Sequence, residues 1–295
     1  PWSSVRVIKP YIGGGFGNKQ DVVLEPIVAF LTMKLDGAPV SMELTREECM
    51  LCTRVRHAFA MTARAGATKD GKLLGYGLDV LSNTGAYASH GHSIAAAGGS
   101  KVCYVYPHAT YRFSAKTFYS NIPVGGACRG YGSPQTAYAI ECLMDDTARA
   151  LGMDPLELRA VNCYKPGDTN PSGQAPEVFS LPDMIDIMRP KFKAAKEKAA
   201  ANSTDTVKRG VGVAIGIYGC GLDGPDSAES WAQYNEDGTV TIGVCWGDHG
   251  QGADAGALGT AHEALRPLNI AADRIRLVMN DTSKAPVGGP AGGSR

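Results

Sequence analysis

Four glycine-rich stretches, far apart in the chain, restrict what it can fold into more than any other feature. They are YIGGGFGNKQD at 11–21, PVGGACRGYGSPQ at 123–135, CWGDHGQGADAG at 245–256 and the terminal GGPAGGSR at 288–295. Glycine supplies 37 of 295 residues, nearly double its usual share, with no collagen-like period or low-complexity tract to account for the excess. A residue without Cβ permits left-handed turns and close approach of a backbone. The stretches therefore read as backbone laid against something, either a ligand or another part of the chain.

The first stretch invites comparison with nucleotide-binding loops and matches neither template. A dinucleotide fingerprint aligned on Gly13 and Gly15 requires glycine where Asn18 stands, and aligned on Gly15 and Gly17 it requires glycine at Gln20. A phosphate loop requires Gly-Lys-Ser/Thr, whereas Lys19 lies between Asn18 and Gln20. A tight strand-to-helix turn is the plain alternative. The second stretch surrounds Arg129 with small residues and runs into the first turn of an expected helix. Backbone N–H groups there, with the positive helix end behind them, suit an anion or an electron-rich oxygen. The third places His249 and Gln251 between glycines ahead of a helix, which suits a polar cofactor better than a bare metal. Four such segments exceed what one phosphate needs and point to an extended ligand with several polar parts.

Composition excludes several classes. The 29 basic and 29 acidic residues cancel, which argues against nucleic-acid and membrane partners. No apolar run approaches a membrane span, and no secretory signal opens the chain. Of eight cysteines only Cys49 and Cys52 have metal-ligand spacing, with no second pair to complete a zinc site. His90 and His92 share such a spacing but have no nearby carboxylate or cysteine to complete a set. The chain begins at proline and ends on a glycine-rich run, so it reads as a piece of something longer.

Periodicity predicts an α+β (mixed α/β) fold of two lobes, spanning 1–203 and 204–295, each with a β-hairpin, glycine-rich loops and packed helices. The first lobe should open as strand 5–11, helix 22–35 and strand 40–44. A hairpin follows, turning at Lys69-Asp70-Gly71-Lys72, then strand 110–121. A helix should run from Pro134 to near Gly152, and another should start after Ser180 as its N-cap. The second lobe should contain strand 211–219, a hairpin over 229–247, helix 253–268 and strand 274–280.

Taken together, IGGGFGNK, ACRGYGSPQ and GDHGQG resemble the molybdenum hydroxylase (xanthine oxidase) family, which includes xanthine dehydrogenase and aldehyde oxidoreductase, and most closely its aldehyde-oxidising bacterial branch. The resemblance extends over essentially the whole chain. It implies molybdenum bound to molybdopterin cytosine dinucleotide and held by the pterin dithiolene, so no protein metal ligand is expected. By the same resemblance Gly15, Phe16 and Gly17 approach an oxygen ligand of the metal, while Ala127, Cys128, Arg129, Gly130 and Tyr131 line metal and pterin. His249, Gly250, Gln251 and Gly252 would bind the pterin and phosphate portion, and Gly292, Gly293 and Ser294 would close over the cofactor.

The implied reaction is hydroxylation of an aldehyde to a carboxylic acid, with water as the oxygen source. Purine-hydroxylating relatives place a glutamate after the loop lysine; Gln20 stands there and favours an aldehyde, with Tyr131 as an aromatic wall of the substrate funnel. No catalytic residue is expected within this chain: the family's Gly-x-Gly-Glu base is absent, as are the cysteine patterns of its 2Fe–2S clusters. Both are expected in other parts of the parent enzyme, which would be a homodimer of the cytoplasm or periplasm. The alternatives are action on a purine or other N-heterocycle, and a non-redox nucleotide or cofactor carrier.

Overall fold

The computed structural model describes residues 4–170, 173, 175, 180–219 and 227–289. They form two compact units, one built from 22–219 and the other from 1–21 together with 220–295. The expected boundary at 203/204 is thus not where the compact units divide. The opening segment joins the C-terminal residues because Ile8 bridges Asp281, Lys9 N–H donates to the Asn280 carbonyl at 2.8 Å, and Arg6 pairs with Asp281 at 2.6 Å.

The larger unit carries α1 (Glu25–Lys34), α2 (Arg46–Cys52), β1 (Ala58–Ala67), β2 (Leu73–Gly85), α3 (Gly91–Val102), β3 (Thr110–Tyr119), α4 (Ser133–Leu151), α5 (Pro155–Asn162) and α6 (Leu181–Ala201). β1 and β2 form the expected hairpin, with Gly71 at φ +88° in its turn. β3 then pairs with β2 in parallel, a geometry that needs a crossover, here α3. Period-two burial on β2 turns Tyr76, Leu78 and Val80 inward, against Ile140, Met144 and Ala148, which repeat every four residues along α4. α3 lies on β2 and β3, and α4 on β1. By contrast α1 has no buried residue.

The smaller unit repeats this plan at reduced size. β4 (Ser230–Tyr234) and β5 (Val240–Val244) make a hairpin, α7 (Ala253–Leu265) crosses over, and β6 (Ile275–Val278) returns parallel to β5. The α+β reading of the sequence therefore holds, as do both hairpins and the helices at 25–34, 133–151, 181–201 and 253–265.

Three expected strands do not form, and each has lost its partner. Residues 5–11 contribute only the single bridge at Ile8. Segment 40–44 is largely exposed and makes no strand pairing among the described residues. In 211–219 the Ile215 N–H donates at 2.8 Å to the Glu141 carboxylate instead of to a strand. Strand propensity depends on such neighbours. Helices α2, α3 and α5 were missed. Thr45 and Glu48 form a reciprocal capping box on α2, and Asp154 caps α5 through the Leu156 and Glu157 N–H groups. Ser180 stands at the N-cap of α6, but its side chain makes no capping bond.

Asp281 gives the smaller unit a pH response. Its carboxylate accepts from Arg6 and from Ser283, and these bonds hold its pKa well below the usual carboxylate range. Because the folded pKa is depressed, the tie is fully present above the unfolded value of about 4 and is lost as pH falls through the folded pKa. Asp281→Asn is expected to release segment 4–9 at neutral pH, read as faster amide hydrogen exchange at Val7 and Lys9. Unchanged exchange would show that the ion pair does not hold the segment.

Candidate functional site

In the smaller unit the first and third glycine stretches meet. A Cβ on Gly250 would lie 2.5 Å from both the Gly14 nitrogen and the Ile12 oxygen, and one on Gly15 would lie 3.3 Å from the His249 ring. Gly14, Phe16 and Gly17 have φ of +116°, +53° and +91°, so the loop turns through left-handed backbone. These glycines are thus required first by contact between the two loops. Phe16 is exposed, as are Gln20, Gly250, Gln251 and Gly252, while His249 is half-buried.

The start of α7 differs from a bare anion site. The buried Asp248 carboxylate accepts the N–H groups of Asp254 at 3.0 Å, Gly250 at 2.6 Å and Gly252 at 3.3 Å, and these bonds hold its pKa below the usual range. Several of the donors expected to face a phosphate are therefore already met by the chain's own carboxylate. His249 N–H donates to Gln251 Oε1 at 2.6 Å, and Lys9 Nζ donates to the Asp248 carbonyl. Gly292, Gly293 and Ser294 lie outside the described residues.

In the larger unit the second stretch is gripped by residues 54–57, which sequence reasoning did not single out. Val55 N–H donates to Val124 O, and Gly126 N–H donates to Val55 O, both at 3.0 Å. The buried Arg54 and His57 side chains fold over this pairing. A Cβ on Gly126 would stand 2.1 Å from Arg54 Cδ, and one on Gly125 about 3.0 Å from the His57 ring. Burial pushes His57 below its ordinary pKa, and its Nε2 lies 3.2 Å from Thr84 Oγ1. Arg56 donates to Cys128 Sγ at 3.1 Å, to the Arg129 carbonyl and to Gln135 Oε1 at 3.2 Å, tying loop to helix. The visible signal was the cationic run Arg54-Val-Arg56-His57 placed just before a strand.

Around this clamp Arg56, His57, Ile94, Gly126, Cys128, Gly132 and Gln135 line a crevice too narrow to hold a water molecule. Ala127 is buried, Cys128 and Tyr131 are half-buried, and Arg129 is exposed. His90, considered above as a metal ligand, turns Nδ1 to the Tyr131 hydroxyl at 2.6 Å. Buried side-chain oxygens of Ser133, Asn18, Asp254 and Asn280 have no hydrogen-bond partner among the described residues. Buried polar atoms ordinarily have one, so Ser133 in the larger unit and, separately, Asn18, Asp254 and Asn280 in the smaller unit suit polar, hydrogen-bonding contacts. Among the described residues no cluster of three His, Cys, Asp or Glu side chains could hold a metal.

Residues 1–163 and 188–295 each match a family described as molybdopterin cofactor-binding domain. The chain belongs to this family of molybdopterin-binding domains. It is 48% identical, over all 295 residues and 32% of the relative's length, to an aldehyde oxidoreductase of Megalodesulfovibrio gigas. It is 51% identical over 258 residues, 86% of the chain and 34% of the relative, to a putative xanthine dehydrogenase molybdenum-binding subunit of Escherichia coli (strain K12). The solved aldehyde oxidoreductase of Desulfovibrio desulfuricans superposes with a TM-score of 0.93 at 47% identity, covering 98% of this chain and 32% of that one. The chain thus spans about a third of the length of these relatives. No helix among the described residues is long and apolar enough to cross a membrane.

Proposed function

We propose that the chain is the cofactor-enclosing part of an enzyme that hydroxylates aldehydes to carboxylic acids with water as the oxygen source. The observation that supports this reading most is similarity, over all 295 residues of this chain, to part of an aldehyde oxidoreductase, at 48% identity. Gln20, in place of a purine-binding glutamate, adds to it. The bound group, molybdenum on molybdopterin cytosine dinucleotide, supplies the two-electron redox chemistry, and the protein supplies orientation and electrostatics.

The residues that would hold it are Gly15, Phe16 and Gly17; Ala127, Cys128, Arg129, Gly130 and Tyr131; His249, Gly250, Gln251 and Gly252; and Gly292, Gly293 and Ser294. The exposed Arg129 guanidinium is a planar donor fork suited to an oxygen acceptor. Asn18 and Asn280 offer buried carbonyl oxygens to ring N–H groups. Gln20 and Tyr131 would contribute to the substrate funnel. The general-base glutamate and the 2Fe–2S clusters belong to other parts of the parent enzyme, which would work as a homodimer in the cytoplasm or periplasm.

Similarity to a xanthine dehydrogenase subunit favours a second reading, in which the same fold acts on a purine or other N-heterocycle. One experiment separates the two. The full-length enzyme is analysed for molybdenum and for cytidine monophosphate released by acid, then assayed on benzaldehyde and on xanthine. Stoichiometric metal, released nucleotide and turnover of benzaldehyde alone are expected. Turnover of xanthine alone would move the substrate to the heterocycle class, and absence of molybdenum would leave a non-redox carrier.

A further inference from the structure

Tyr131 sits in a backbone conformation that disfavours it. Gly130, Tyr131 and Gly132 have φ of +94°, +39° and +90°, three left-handed residues in succession. The glycines adopt this freely, whereas a residue with a Cβ is disfavoured there by roughly 1–2 kcal/mol. Something must hold Tyr131 in place. Its phenol reaches the start of α3, where the hydroxyl lies 2.6 Å from His90 Nδ1 and 2.9 Å from Ser93 Oγ. The two rings meet edge to face, with centroids 5.7 Å apart.

One assignment of protons satisfies all of these contacts at once. Ser93 Oγ also lies 3.0 Å from the His90 carbonyl, which can only accept and also receives the Ile94 N–H at 2.9 Å; in this assignment the serine proton goes there. Ser93 Oγ then accepts from the Tyr131 hydroxyl, and the Tyr131 oxygen accepts from His90 Nδ1. Three contacts need three protons, and a neutral imidazole provides the third only as the Nδ1–H tautomer. Burial pushes His90 below its ordinary pKa, and the positive charges of Arg54 and His92 add to this, so the ring is neutral near pH 7.

We propose that His90 and Ser93 are positioning residues: His90, locked as the Nδ1–H tautomer, and Ser93 hold the Tyr131 hydroxyl and thereby the left-handed turn beside Arg129. The consequence for catalysis rests on the reading of Arg129 and Tyr131 given under Proposed function; the hydrogen-bond chain does not.

The test uses the full-length, cofactor-loaded enzyme with His90→Phe, His90→Asn, Tyr131→Phe and the double variant H90F/Y131F. Phenylalanine keeps the ring contact and removes the donor, whereas asparagine offers an amide N–H near the Nδ1 position. H90F and Y131F are each expected to lower kcat/KM about tenfold, the equivalent of one hydrogen bond. The double variant should be no worse than either single one, and H90N should recover most of the loss. A second readout is independent of turnover. With ring-¹⁵N histidine, one signal should have Nδ1–H character, assigned by its absence from H90F. An Nε2–H signal for His90, fully multiplicative losses in the double variant, or H90N as impaired as H90F would each overturn the proposal. An enzyme inactive on aldehydes would end the functional reading alone, because the tautomer and the same variant cycle measured on Tm still decide this one.

Discussion

Gly132→Ala is expected to destabilise the larger unit by about 4 kcal/mol, a large part of a typical domain's margin of stability. Two costs combine. Gly132 has φ +90° at the N-cap of α4, where a Cβ is strained by roughly 1 kcal/mol or more. The added carbon would also stand 2.2 Å from the Ile94 carbonyl oxygen and 3.1 Å from the Gly98 nitrogen, both backbone atoms of α3. A side-chain neighbour could rotate away, but helix backbone moves only with the helix, so overpacking should add about 3 kcal/mol. Gly152→Ala separates the terms. Gly152 is also left-handed, at φ +67°, closing the other end of α4, yet a Cβ there meets nothing within 4 Å. It should cost only about 1 kcal/mol. Chemical denaturation of both variants in the full-length protein measures the difference, and equal losses would mean that α3 yields to the methyl group.

The same glycine shows what was legible in the sequence and what was not. That the 123–135 stretch enters a helix could be read from Pro134 and Gly152. That its glycines serve the chain's own packing could not. Gly126 accommodates Arg54, and Gly98 and Gly132 accommodate each other across α3 and α4. Close approach to a ligand and close approach to another segment demand the same residue type, so glycine content marks a contact without naming the partner. Helix α3 was hidden for a related reason: Gly98 and Gly99 weaken its intrinsic propensity, and its place depends on contacts such as Gly99 against the Phe113 ring. Local signals fared better. Both hairpins were announced by Asp-Gly turns, and the capping sequences of α2 and α5 were present but passed over. At the candidate site the motifs gave the loops, but the Arg56 clamp emerged only once distant residues were in place, whereas the Asp248 cap is made with residues two to six positions along the chain.

The larger unit has its own buried carboxylate, Glu141, and removing it is the second change with a large expected effect. Arg159 is fully buried, and its Nε donates to Glu141 Oε2 at 2.7 Å. The same carboxylate accepts from the Tyr106 hydroxyl at 2.6 Å and the Ile215 N–H at 2.8 Å. Glu141→Ala would therefore strand a phenol and a backbone donor and leave Arg159 with Asp145 and carbonyl oxygens alone. Breaking one side of a buried pair typically costs about 3–5 kcal/mol, and that is the loss expected here. The double variant Glu141→Leu with Arg159→Met removes both charges and keeps much of the volume, so it should be less destabilised than the single one. Denaturation of wild type, single and double variants in the full-length protein decides the matter. A double variant as unstable as Glu141→Ala would place the cost in the lost anchors of Tyr106 and Ile215 rather than in a buried guanidinium that keeps only Asp145 as its counter-charge. Segment 211–219 would then be held on α4 by hydrogen bonding to one carboxylate, which is also why its strand-like sequence does not become a strand.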